Sequence, residues 1–261
     1  MRYLTKSRFI LACECPTKLF YTRKENEYAS TRLENPFLEA LADGGFQVGE
    51  LAKCYYPDGH DIHSLDDDKA LKQTNELLKK NNVVIFEAAI KHKNLFIRVD
   101  ILVKRGNFIK LYEVKAKSFD PSSDSFLQKK NKEKIANKWK SYLFDIAFQR
   151  HVVRSAFSDS TVSAYLYLVN KKSTAPTDGL NQKFQIFEEN NNRKSVKVTS
   201  PLSQDDLSEE LLIKISVDHY CDLILNTEEG SDAHGASFKD RIEKYSQAYN
   251  TDTKINPILT K

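Results

Sequence analysis

Glycine and proline are scarce in this chain, at 8 and 7 of 261 residues, which excludes a collagen-like or low-complexity scaffold. Cysteine is scarcer still. Cys13, Cys15, Cys54 and Cys221 are too few for a disulfide framework at this size. Cys13 and Cys15 also stand closer together than the spacing of about two to four residues that zinc-ligand pairs use, and no CxxC pair follows. No run of about 18 apolar residues is present to span a bilayer. The opening MRYLTKSRFILACECP has a basic start but only a short apolar stretch and no convincing cleavage site, so a cytoplasmic protein is expected. The HExxH, GxGxxG, GxxxxGKS/T and GxSxG signatures are missing too. Their absence removes the common metalloprotease, dinucleotide-binding, P-loop and hydrolase readings.

What remains is an ordinary globular composition, 40% hydrophobic and 29% charged, long enough for one large domain or two small ones. The net charge of +4 is unevenly spread. From Ser200 to Lys261 there are 12 Asp/Glu against 6 Lys/Arg, which leaves residues 1–199 at +10. The densest positive stretch, KKNKEKIANKWK, carries Lys129, Lys130, Lys132, Lys134, Lys138 and Lys140. Such a stretch suits contact with phosphate backbones, and a solvated surface is the plainer alternative.

The apolar pattern divides the chain. Residues 6–23 read as a helix interrupted near Pro16, and 36–54 as a helix with Phe37, Leu41, Val48, Leu51 and Ala52 on one side and Gly44-Gly45 as a weak point. A loop holding His60 and His63 leads to a polar helix over 68–80. The period then shortens. VVIFEAAI, LFIRVDILVKR and FIKLYEVKAKS are joined by hairpin-sized HKN and GN, which predicts a three-stranded antiparallel meander. A mobile loop is expected over 119–134, an amphipathic helix over 138–157 and a strand over 162–170. Two further strands fall at 183–190 and 195–200, and helices at 203–229 and 236–249. The expected fold is α/β (α+β), a central mixed sheet flanked by helices, with residues 1–200 as the main domain and 201–261 as an acidic helical region packed on it.

The chemistry concentrates in 95–117. Asp100 interrupts the apolar IRVDILV, and Glu113 interrupts KLYEVKAK. A hairpin near 105–108 brings the two acids onto adjacent strands. Alternation along the strand turns Glu113 and Lys115 to one face and Val114 to the other. Two neighbouring acids repel unless a cation sits between them. Mg²⁺ or Mn²⁺, with the Val114 carbonyl as a third ligand, would supply that cation, and Lys115 would orient a water or stabilise developing charge on a phosphate. On that reading, removing either acid should relieve repulsion in the metal-free protein. Solvent-exposed cross-strand ion pairs are the simpler explanation of the same three residues.

These segments, together with LTKSRFILACECPTKLFY, FQVGELAKCYYPDGHDI, FEAAI and YLFDIAFQRHVV, resemble the RecB-like branch of the PD-(D/E)XK nuclease superfamily. Within that branch the chain is similar to a bacterial family related to the CRISPR-associated RecB-like exonucleases. The likeness runs over about residues 4–155, a little over half the chain. It implies the αβββαβ core of restriction endonucleases, metal-dependent hydrolysis of DNA, Asp100 and Glu113 as metal ligands and Lys115 as catalytic lysine. It also implies that Glu87 lies at the metal, directly or through water, and that Gln149 opens a QxxxY helix motif, with Asp145 on the same face. The chain departs from the pattern in three places. Gly49 stands where relatives often carry a metal-binding histidine, with Glu50 adjacent, and Val153 replaces the tyrosine of QxxxY. Cys15 sits in a CPxxxxY context, but Cys221 is its lone C-terminal counterpart, so no iron–sulfur cluster of that pattern is expected. A silent nucleic-acid-binding module, or an interaction domain without nucleic acid, remains open as an alternative.

Overall fold

The computed structural model describes residues 2–24, 26–28, 36–188, 194–208 and 210–256, without the side chains of 36–42. Phe37 and Leu41, expected on the apolar side of their helix, therefore lie outside the described side chains. The chain runs β1 (Leu4–Thr5), α1 (Lys6–Glu14), α2 (Pro16–Tyr21), α3 (Pro36–Cys54), β2 (His60–Asp61), α4 (Asp67–Leu78), β3 (Asn82–His92), β4 (Leu95–Arg105) and β5 (Phe108–Phe119). It continues with α5 (Asn137–Ala156), β6 (Thr161–Asn170), β7 (Phe184–Glu188), β8 (Lys194–Val198), β9 (Leu212–Ser216), α6 (Asp218–Asn226) and α7 (Phe238–Asn250). Helix, three strands, helix and strand follow one another as the hydrophobic periods predict.

The strands form a seven-stranded mixed sheet ordered β2-β3-β4-β5-β6-β9, with β1 alongside β4, and β7 and β8 pair separately. β3, β4 and β5 are an antiparallel meander, while β6 returns through α5 to lie parallel to β5. α5 is that crossover. It is buried around much of its circumference, from Trp139 through Phe148 to Val153, because it fills one face of the sheet with α1, α6 and α7 packed around it. α3 and the β7–β8 pair cover the opposite face, over Val84, Ile101, Tyr112 and Tyr167. The result is an α+β architecture in which both faces of the sheet are covered.

Two expectations are corrected. The stretch 203–229 is not helical throughout: Leu212–Ser216 is a strand that pairs antiparallel with β6, and α6 begins only at Asp218. Its run LLIKIS is apolar enough for either period, and the free edge of β6 decides in favour of a strand. The 119–134 segment is no loose loop, because Phe126 and Ile135 are buried, Leu127 bridges Ile135, and Asp120 caps Ser122. α3 spans Pro36–Cys54 as expected and runs continuously through Gly44 and Gly45. The acidic C-terminal region gives a strand to the same sheet, and Cys221, Ile224, Phe238, Ile242 and Tyr245 to the same core as β3–β6. No helix among the described residues is long and apolar enough to cross a membrane.

Candidate active site

β4 is flanked by two different neighbours along its length. Its second half, Ile101–Arg105, pairs with β5, while Leu95 and Phe96 pair with the short β1. Between them β4 and β5 part, immediately beyond the Ile101↔Tyr112 pair. The next residues on the two strands are Asp100 and Glu113. A third acid lies on the other flank. Glu87 on β3 stands opposite Asp100, and this is the one position where the otherwise regular β3–β4 pairing lapses. Glu87 adopts φ +54°, a left-handed conformation that costs a non-glycine residue roughly 1–2 kcal/mol. Alternation slips at the same point. Val99 and Leu102, three apart, both face the larger core, as do Ile85 and Ala88. The sheet is thus locally distorted where three carboxylates meet.

The fork between β4 and β5 is filled by side chains. Lys115 Nζ donates to Glu113 Oε1 at 2.5 Å and to Asp145 Oδ2 of α5 at 3.3 Å. Gln149 Nε2 donates to Glu113 Oε2 at 2.6 Å and to Asp145 Oδ1 at 3.0 Å, while its own Oε1 is buried with no hydrogen-bond partner. The main-chain N–H of Val114 donates to Asp100 Oδ2 at 2.8 Å, and the Val114 side chain packs against the α3-side core. The structure therefore brings together Asp100, Glu113, Val114, Lys115, Asp145 and Gln149, with Glu87 beside them.

Sequence reasoning missed Lys6. Its Nζ lies 3.3 Å from Asp100 Oδ1 and 3.0 and 2.8 Å from the two oxygens of Glu113, so it bridges the strand acids. The cation that two neighbouring acids require is here a lysine. Lys6 opens α1, where the helix dipole disfavours a positive charge, and that local conflict was a signal that tertiary contacts place it.

The electrostatics follow from this packing. Burial alone would push Glu113 up, but Lys115 and Lys6, with the Gln149 amide, outweigh it and hold the carboxyl well below its usual range. Asp100 moves the other way: burial and the charge of Glu113 raise it against Lys6, Lys115 and the Val114 amide. Burial and Glu113 push Asp145 up to about 6. Glu87 is raised by burial and by Asp100. Burial disfavours the charges of Lys6 and Lys115, but the surrounding acids lift both ammoniums above their ordinary value. Four carboxylates thus surround two ammoniums. Burial is the largest cause of all three raised carboxyl values, with the neighbouring acids adding to it, while Lys53 and Arg98 also bear on Glu87 from outside.

Other expected residues fall elsewhere. Glu50, adjacent to Gly49, pairs with Lys53 at 3.4 Å, and Lys53 also holds Asp61 at 2.9 Å. A Cβ on Gly49 would meet open space. Val153 is fully buried in the core, where a tyrosine hydroxyl would need a partner. Cys221 is buried on α6, and burial pushes its thiol well up, so it is inert. Lys129, Lys130, Lys132 and Lys134 are exposed. Lys138 pairs with Asp124 at 3.0 Å, and Lys140 rests over the Phe144 ring. A cleft of about 310 Å³ opens beside the acids, with Ser7, Glu14, Lys115, Ser141, Tyr142 and Asp145 in its walls. A larger hollow of about 470 Å³, by His92 and Phe157, includes none of the clustered acids.

Among the described residues no three His, Cys, Asp or Glu side chains are gathered so as to hold a metal unaided. The donors nonetheless suit a hard divalent cation. Asp100 and Glu113 aim their oxygens at one cationic atom, Gln149 Oε1 is an unused acceptor, and Mg²⁺ typically takes one or two carboxylates while keeping several waters. No protein-family model matches this chain, and no curated protein matches it.

Proposed function

We propose that the chain is a cytoplasmic, metal-dependent deoxyribonuclease of the RecB-like branch of the PD-(D/E)XK superfamily, acting in repair, recombination or defence against foreign DNA. The observation that carries this reading is the convergence of Asp100 and Glu113 on one cationic atom where β4 and β5 part, with Lys115 on the same face of β5. Asp100, Glu113 and the Val114 carbonyl would hold Mg²⁺ or Mn²⁺, with Glu87 bound directly or through water. The cation, when bound, polarises a phosphodiester and acidifies a water. Lys115, fixed between Glu113 and Asp145, stabilises charge that develops on the phosphate. Gln149 holds Glu113 and Asp145 in register, and the exposed lysines of 129–134 gather the DNA backbone.

The test is incubation with linear, circular and single-stranded DNA in Mg²⁺, Mn²⁺ or EDTA. Cleavage should need the metal and vanish in Asp100→Ala and Glu113→Ala, and cleavage that survives either substitution overturns the assignment. A second reading, a catalytically silent DNA-binding module, is favoured by one observation: Lys6 already satisfies both acids. It predicts DNA binding without cleavage under every metal condition.

A further inference from the structure

The place between Asp100 and Glu113 is taken by Lys6, and the carboxylates cannot accept a divalent ion there while the ammonium holds three of their oxygens. We propose that Lys6 is the counter-ion of Asp100 and Glu113, and that a divalent cation binds there by displacing it. This rests on the nuclease reading above.

The placement of Lys6 supports an exchange rather than a permanent ion pair. It is the first residue of α1, so its side chain hangs from the start of a helix and reaches the acids across the fork. Its side chain remains 20% exposed, and that of Asp100 25%, whereas Glu113 is closed at 1%. The fork is therefore reached from the solvent along the Lys6–Asp100 side. Ser7, the next residue, lines the cleft beside Lys115, and the Glu14 and Asp145 carboxylates in its otherwise largely apolar walls offer a displaced ammonium new partners. The charge balance points the same way. Replacing one positive charge by two at this spot offsets the mutual repulsion of the carboxylates of Asp100, Glu113 and Asp145 gathered around Lys6 and Lys115. Lys6 keeps the acids paired without metal, and the same pairing weakens metal binding.

The experiment measures Mn²⁺ binding by calorimetry and by the paramagnetic resonance of free Mn²⁺. It compares the intact protein with Lys6→Met, Lys6→Arg and Asp100→Asn, each checked for folding by circular dichroism. Lys6→Met should bind Mn²⁺ more tightly, by roughly tenfold or more, because binding no longer breaks a buried ion pair. Its thermal midpoint should be lower in EDTA and should rise further on adding Mn²⁺ than that of the intact protein. Lys6→Arg, which keeps a cation in place, should bind Mn²⁺ no more tightly than the intact protein and remains informative if Lys6→Met does not fold. Asp100→Asn should bind weakly. Equal or weaker binding by Lys6→Met, with clear binding by the intact protein, overturns the displacement while sparing the metal site. Tighter binding by Lys6→Arg does the same. No saturable binding by any folded variant overturns the metal site and the displacement together.

Discussion

Replacing Glu113 and replacing Asp100 should have unlike effects on the metal-free protein. Glu113 is closed from solvent and neutralises two ammoniums, so Glu113→Ala leaves Lys6 and Lys115 only their longer contacts to Asp100 and Asp145, at 3.3 Å each. Breaking a buried pair in this way typically costs about 3–5 kcal/mol. Asp100 is a quarter exposed and already raised by Glu113, so Asp100→Ala should cost far less, and chemical denaturation in EDTA reads the difference. Equal losses would show that the two acids share the lysines evenly. The expectation that losing either acid relieves repulsion thus holds at most for Asp100, since Lys6 was invisible to it. Asp145 should leave a pH signature. Its folded value of about 6 lies above its ordinary 3.8, so the folded chain keeps this proton longer than the unfolded one. Below pH about 4 the residue is neutral in both states and costs nothing; as pH rises from about 4 to 6 stability falls, by up to about 3 kcal/mol. The stability of the intact protein minus that of Asp145→Asn, measured in EDTA, should therefore shrink as pH rises through that window. A difference that is flat with pH counts against the burial of Asp145.

At the scale of elements, the segment between β5 and α5 decides how nucleic acid would be captured. Phe126 and Ile135 pin it to the core, so Lys129, Lys130, Lys132 and Lys134 sit on a fixed excursion rather than on a floating loop. Replacing these four by Gln should lower the log–log salt slope of DNA binding by roughly 0.7–0.9 for each phosphate that is no longer neutralised. Cleavage at saturating DNA should persist, and an unchanged slope refutes capture by this segment. Lys138 and Lys140 are left out because Asp124 and Phe144 already engage them. Long, strongly periodic elements were legible in the sequence. β3 to β6 and α5 fall within a few residues of where apolar alternation and helical spacing put them, and Asp100, Glu113 and Lys115 followed from strand geometry. β9 was misread because Leu211, Leu212, Ile213 and Ile215 satisfy both periods, and pairing with β6 decides between them. β1 and β2, two residues each, exist through their partners alone. Lys6 belongs with them: its charge at the start of a helix hints at a tertiary role, but acids 94 and 107 residues away cannot be read from that local pattern.

For the molecule as a whole, the two ends of the chain hold one another. α7 packs on α1, α2 and β1; Arg2 pairs with Asp252 and lies over the Tyr249 ring; Thr17 donates to the Ile255 carbonyl at 2.7 Å; and Asn94, beside β1, donates to that of Ser246 at 2.9 Å. Phe238, Ile242, Tyr245 and Tyr249 are buried in the process. A chain ending at Asp232 should therefore lose protection of the amides of α1 from hydrogen exchange, while those of β3 and β4 stay slower. Unchanged protection of α1 would mean that α5 alone secures it. The same clasp has a consequence for the newborn protein. β3, β4 and β5 emerge from the ribosome long before α7 does, and until α7 arrives the segment that carries Lys6 is held by β4 and α5 without its support. In that interval the lysine that reaches Asp100 and Glu113 is carried by a helix held on fewer sides than in the folded protein, so the clasp completes the setting of an ion pair whose members lie far upstream of it.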